Sequence, residues 1–143
     1  PSYEKELRRV ANYYPIDFGL SQLFIYAESM EEILADKLLA FASRNRIKNR
    51  DLWDIEMLNE RRVGFNPDLM RNKINDHRIA FDDFMDSAEK RVNSLLKDGM
   101  PSDFKAEMMR FVSAGDYEKS ILSTEEAGRA IATIIRDYLR LLT

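Results

Sequence analysis

Lys37 and Arg44 on one side, and Asp51 and Asp54 on the other, are the residues whose types and spacing are best suited to chemistry. At about 100° per residue, Lys37 falls between Ile33 and Phe41 on the apolar arc of a helix, beside Leu34 and Leu38. An ammonium there loses hydration unless it reaches an anion, either a carboxylate or a bound phosphate. Arg44, seven residues on, falls near the same meridian. Asp51 and Asp54 stand at i and i+3 in Arg50-Asp51-Leu52-Trp53-Asp54-Ile55. Such a pair can hold a metal-bound water, act as a general base, or grip a neighbouring Lys or Arg. On spacing alone the plainer readings lead. Lys37 would then snorkel at the edge of the stripe, and Asp51 would be an N-cap with Asp54 at N3. The two inward-leaning groups on consecutive helices nevertheless point to one shared cluster of Lys37, Asp51 and Asp54.

Other candidates carry less. His77 follows Asp76 at a helix junction and reads as a surface or capping residue. The run Arg44-Asn45-Arg46-Ile47-Lys48-Asn49-Arg50 has the charge to meet RNA phosphates, but a solvated basic loop is the plainer reading. Neither G-x-G-x-x-G nor G-x-x-x-x-G-K-[ST] occurs, so glycine-rich phosphate cradles are missing. Cysteine is absent, which excludes disulfides, thiolate zinc sites and a Cys nucleophile, and a single histidine excludes a multi-His metal site within the chain.

The elements that must position these groups read as helices. The chain has 143 residues, room for one domain, with 45% hydrophobic and 33% charged residues, 5 Gly and 4 Pro. A helical pattern over 1–14 ends at Pro15. Leu23–Glu28 predicts a short strand, aromatic and β-branched, that needs a partner outside itself. Ser29-x-x-Glu32 reads as a capping box opening a helix over Met30–Ser43. Further helices are predicted over Arg50–Arg61, from Asn66-Pro67 to Asp76, from about Ile79 to Leu96, over Asp103–Ser113, and after a second capping box at Ser123-x-x-Glu126. The expectation is a mainly α bundle of about six helices with one short N-terminal strand. Its two parts would be residues 1–28, a helix and strand, and 29–143, a helical C-terminal domain. Net charge is −3 and pI about 5.3, and neither a membrane-length apolar run nor a signal-peptide core occurs. A cytoplasmic protein with no membrane partner is the expectation.

Two stretches carry a family resemblance. Glu28-Ser29-Met30-Glu31-Glu32-Ile33-Leu34-Ala35-Asp36-Lys37-Leu38-Leu39-Ala40 resembles S-x-E-E-h-x-A-x-K-h-x-A, where h is apolar. Arg50-Asp51-Leu52-Trp53-Asp54-Ile55-Glu56-Met57-Leu58 resembles R-D-h-x-D-h-x-x-L. Together, with a basic connector between them, they resemble the AbiEii/AbiGii nucleotidyltransferase toxin family. The resemblance implies transfer of a nucleotide from a nucleoside triphosphate with magnesium, to an RNA acceptor that in several members is tRNA. It also implies a type IV toxin–antitoxin or abortive-infection role and a cognate antitoxin.

For the residues, the resemblance implies that Lys37 holds nucleotide phosphates and that Asp51 or Asp54 supports catalysis. Arg44 and Arg50 would bind phosphate or hold the aspartates in place, and no metal ligand is assigned. The family's N-terminal half carries a Gly-Ser motif and a metal-binding D-x-D on a β-sheet, and neither motif occurs here. The Leu23–Glu28 strand then reads as the end of that sheet. On this reading the chain is the C-terminal helical portion of such an enzyme, partnered by a missing N-terminal half. It would be inactive alone, with no tightly bound cofactor of its own. The alternative is a non-catalytic helical interaction module in which Lys37 and Asp51 form a buried structural ion pair. A nuclease with a carboxylate–Lys site fits less well, since no acidic pair precedes Asp36-Lys37 at strand spacing.

Overall fold

Apolar residues recurring every three or four positions give each segment one face that has to be buried, and the neighbouring helices bury it. The computed structural model describes residues 20–143, with side chains from Ser29 onward. The described chain is helical, with α1 Leu20–Ser43, α2 Asn49–Glu60, α3 Pro67–Asp76 and α4 Phe81–Asp98. The short α5 Phe104–Met108 and α6 Ala114–Lys119 follow, then a 3-10 turn at Ile121–Ser123 and α7 Ala127–Arg140.

Helix α1 is the hub. Its apolar face packs against α2, α3 and α4, while α7 lies along α4 and touches α2. Leu34, Leu52, Ile55 and Leu58 are fully enclosed where α1 and α2 meet. Each such side chain contributes about 1.5–3 kcal/mol through the water it leaves. On the other side, Ala88, Val92 and Leu95 of α4 face Ile131 and Ile135 of α7 in the same continuous core.

The helix ends are specified locally. Asn66 caps α3 by accepting the Leu69 amide at 3.1 Å, with Pro67 in the first turn as the sequence predicts. Helices α2 and α3 both close with a left-handed residue, Arg62 and Arg78, each at φ 57°. In each case the next amide reaches back five residues, Val63 to Leu58 O and Ile79 to Ile74 O. Gly99 ends α4 at φ 78°. A Cβ on Gly128 would lie 2.8 Å from both the Gly99 Cα and the Leu95 carbonyl oxygen, so α7 starts hard against the end of α4.

The mainly helical expectation holds, and four details differ. Leu23–Glu28 is helix, not strand, being the early turns of α1. An apolar run of six has no period long enough to separate the two states, and helix continuity with Met30–Ser43 decides it. Ser29 is therefore buried inside α1 rather than capping it. Ser123 does not box with Glu126 either, because its hydroxyl donates to the Ser120 and Glu118 carbonyls. The helix predicted over Asp103–Ser113 stops at Met108. The helix read over residues 1–14 lies outside the described residues. Among the described residues no helix is long and apolar enough to cross a membrane.

Candidate functional site

A five-residue connector, 44–48, folds α1 and α2 into a hairpin. Lys37 lies six residues before the end of α1 and Asp51 is the third residue of α2, so both sit near the turn end of the hairpin. The Lys37 ammonium is 3.3 Å from Asp51 Oδ1 and 2.8 Å from Asp54 Oδ2. It bridges the two carboxylates that the i, i+3 spacing puts on one edge of α2. Arg44 closes the other side of Asp51, its Nη1 3.2 Å from Oδ2. That contact has ion-pair distance without hydrogen-bond alignment, and Asp51 Oδ2 has no hydrogen-bond donor.

Burial grades the cluster from inside to outside. The Asp51 side chain is 1% exposed, Asp54 16%, Lys37 24% and Arg44 40%. Asp51 is thus the anchored charge, lodged in the first turn of α2 where the helix dipole favours an anion. The N-cap of α2 is Lys48, with no side-chain capping bond, so Asp51 is not a cap. The two cations face outward from it. Lys37 and Arg44, predicted to share a meridian, do meet at one carboxylate.

Arg50 does not join them. Its guanidinium stacks on the Phe111 ring, 4.5 Å from the centroid, on a different side of α2. His77 is also elsewhere, an exposed residue at the end of α3 whose Nδ1 lies 2.9 Å from the Lys73 carbonyl oxygen.

Three supporting groups escaped the sequence reading. Asn49, buried at the start of α2, donates through Nδ2 to Asp103 and Glu107, both at 3.0 Å. Trp53, next to Asp54, stacks nearly parallel on Tyr117 with centroids 6.1 Å apart. Ser87 and Arg91 of α4 secure the end of α1. The Ser87 hydroxyl donates to the Ala42 carbonyl at 2.6 Å, and Arg91 donates to the carbonyls of Phe41 and Arg44. Burial pulls the Arg91 guanidinium below the usual arginine range. Its i, i+4 spacing from Ser87 was the one available signal, since both must lie on the same face of α4.

The cluster is a poor metal site by itself. No group of three or more His, Cys, Asp or Glu residues suited to a metal ion occurs among the described residues. The carboxylate oxygens that would serve, Asp51 Oδ1 and Asp54 Oδ2, already hold the Lys37 ammonium. The donor set therefore does not fit a resident magnesium ion. What it does fit is a fixed pair of cations at a helix-hairpin turn, anchored from beneath by carboxylates.

Comparison with curated proteins and with solved structures gave no match. The family described as nucleotidyl transferase AbiEii toxin, type IV TA system, matches residues 3–135, nearly the whole chain. Its span includes α1, the basic connector and α2, the elements that build the Lys37–Asp51–Asp54 cluster. The chain belongs to the AbiEii nucleotidyl transferase toxin family of type IV toxin–antitoxin systems.

Proposed function

We propose that the turn end of the α1–α2 hairpin is the helical wall of a nucleotidyltransferase site. Lys37 holds the phosphates of a nucleoside triphosphate, and Arg44 adds the second cation. Asp51 and Asp54 keep the two cations in place. The observation that carries this reading is the bridged ammonium: Lys37 Nζ lies 2.8 and 3.3 Å from two carboxylates fixed on one helix edge. An ammonium held that way is positioned before substrate arrives, and preorganised charge is what phosphoryl-type transfer needs most.

In the reaction, a hydroxyl oxygen of an RNA acceptor attacks the α-phosphorus in line. The bond from that phosphorus to the bridging oxygen breaks, its electron pair leaves with pyrophosphate, and the hydroxyl proton passes to solvent water. Negative charge grows on the departing oxygens, and Lys37 and Arg44 stabilise it. The acceptor is RNA, with tRNA the instance the family resemblance favours. The Gly-Ser and D-x-D groups absent from this sequence are supplied from outside it, and a cognate antitoxin restrains the complete enzyme in the cytoplasm. Alone, the chain is inactive.

The test is transfer from labelled nucleoside triphosphates to tRNA by a form that supplies those motifs. Lys37→Ala should lower transfer by at least 100-fold in a protein that still folds. A Lys37→Ala protein with unchanged transfer but weaker association with a protein partner would instead establish the interaction-module reading. Transfer by the chain alone would contradict the inactivity claim.

A further inference from the structure

The connector between α1 and α2 does more than close the hairpin. From Arg46 to Lys48 it alternates, with Arg46 and Lys48 exposed, Ile47 packed against the core, and then Asn49 buried at the start of α2. Lys48 has extended dihedrals, φ −100° and ψ 133°. Arg46 and Lys48, both exposed and two residues apart, form a short row of cations on the connector, while Ile47 and Asn49 tie it down.

The row lies in an open concavity of about 720 Å³ lined by Ser43, Arg44, Asn45, Arg46 and Lys48. Three of these five residues are cationic and none is apolar. Arg44 has Asp51 as its counter-ion, whereas no described carboxylate lies within ion-pair distance of Arg46 or Lys48. Carbonyls at the end of α1, which would add negative charge there, are already bound by Ser87 and Arg91. Those bonds also hold the connector's shape.

We propose that this groove binds the phosphate backbone of a nucleic-acid strand, with Arg46 and Lys48 as its contacts. A row of cations with no counter-ion among the described residues suits a line of phosphates. A protein partner is disfavoured because its interface needs buried apolar or aromatic anchors, and the described residues of the lining include none. Arg44 belongs both to the groove and to the Asp51 cluster, so a strand lying in the groove runs up to Lys37. This rests on the transferase reading only for the strand's role as acceptor. The binding itself involves neither nucleotide nor transfer.

The experiment is fluorescence anisotropy with a labelled single-stranded RNA of about 20 nucleotides, titrated with the whole chain at several salt concentrations. We compare the parent, the double variant Arg46→Glu/Lys48→Glu, and a control of equal charge change, Lys90→Glu/Lys105→Glu, at exposed sites on α4 and α5. Circular dichroism melting confirms that each is folded. The groove variant should bind at least tenfold more weakly, and its slope of log affinity against log salt should flatten by about 1.4, two contacts at 0.7 each. The control should stay within twofold. Equal loss in both variants, or no RNA binding by the parent, would overturn the proposal. So would competition by polyglutamate as effective as competition by RNA, which would make the groove a site for acidic protein. A Lys37→Ala protein that loses transfer but keeps RNA affinity would leave both readings standing. Loss of the groove effect with transfer intact would remove this one alone.

Discussion

Helix α1 meets its neighbours through two clusters, each made of one lysine and two carboxylates. On one side Lys37 of α1 bridges Asp51 and Asp54 of α2. On another, Lys73 of α3 bridges Glu32 and Asp36 of α1, at 3.2 and 2.8 Å. The first cluster adds a second cation, Arg44, and the burial of the two is reversed. In the first cluster the carboxylate Asp51 is almost fully enclosed and the cations reach outward. In the second the carboxylates are 41% and 54% exposed, and Lys73 is the more buried member. A surface pair of the second kind staples two helices and contributes little. An enclosed anion with two outward cations is different. It commits the fold to keeping positive charge at the hairpin turn, which is why we propose substrate binding at the first cluster and not at the second.

The largest expected effect comes from stripping Asp51 of both cations. Lys37→Ala/Arg44→Ala leaves a buried carboxylate uncompensated and should cost about 3–5 kcal/mol in denaturant unfolding at neutral pH. A cost no larger than that of a surface pair would erase the contrast. Lys37→Ala alone should cost about 1–2 kcal/mol, because Arg44 stays beside Asp51.

Lys73→Ala should cost at most about 1 kcal/mol, and less at high salt, because its partners are exposed. Its pH dependence has a definite sign. Burial lowers the Lys73 pKa, but the hydrogen bonds and charges of Asp36 and Glu32 outweigh burial and raise it overall. A raised folded-state pKa means the contribution is complete below the ordinary lysine value, about 10.4. It is lost as pH rises through the folded value. The difference in stability between parent and Lys73→Ala should hold from pH 7 to 9 and shrink in strong alkali. A difference that grows in alkali would reverse the assignment.

The sequence showed these clusters unequally, for physical reasons. Lys37 was visible because a cation on an apolar arc breaks the period, and Asp51 and Asp54 because their spacing fixes a shared edge. Helix ends with strong local chemistry were also legible, Asn66-Pro67 above all. Leu23–Glu28 was misread because a short apolar run looks alike in helix and strand. Ser29 and Ser123 carried the capping pattern, yet α1 already continues through the first and nearby carbonyls take the hydroxyl of the second. Asn49, Ser87 and Arg91 gave little warning. They bind groups 45 to 58 residues away, in part backbone carbonyls that have no sequence identity. Arg50 was grouped with the site by the family resemblance alone, and the turn of the helix carries it to Phe111.

The most direct test of the central contrast uses Trp53, the single tryptophan, which lies beside Asp54. Its fluorescence is followed while inorganic triphosphate is titrated into the parent, Lys37→Ala and Lys73→Ala proteins. The account predicts a Kd at least tenfold weaker for Lys37→Ala and within twofold of the parent for Lys73→Ala. Equal affinities for the parent and Lys37→Ala would contradict it.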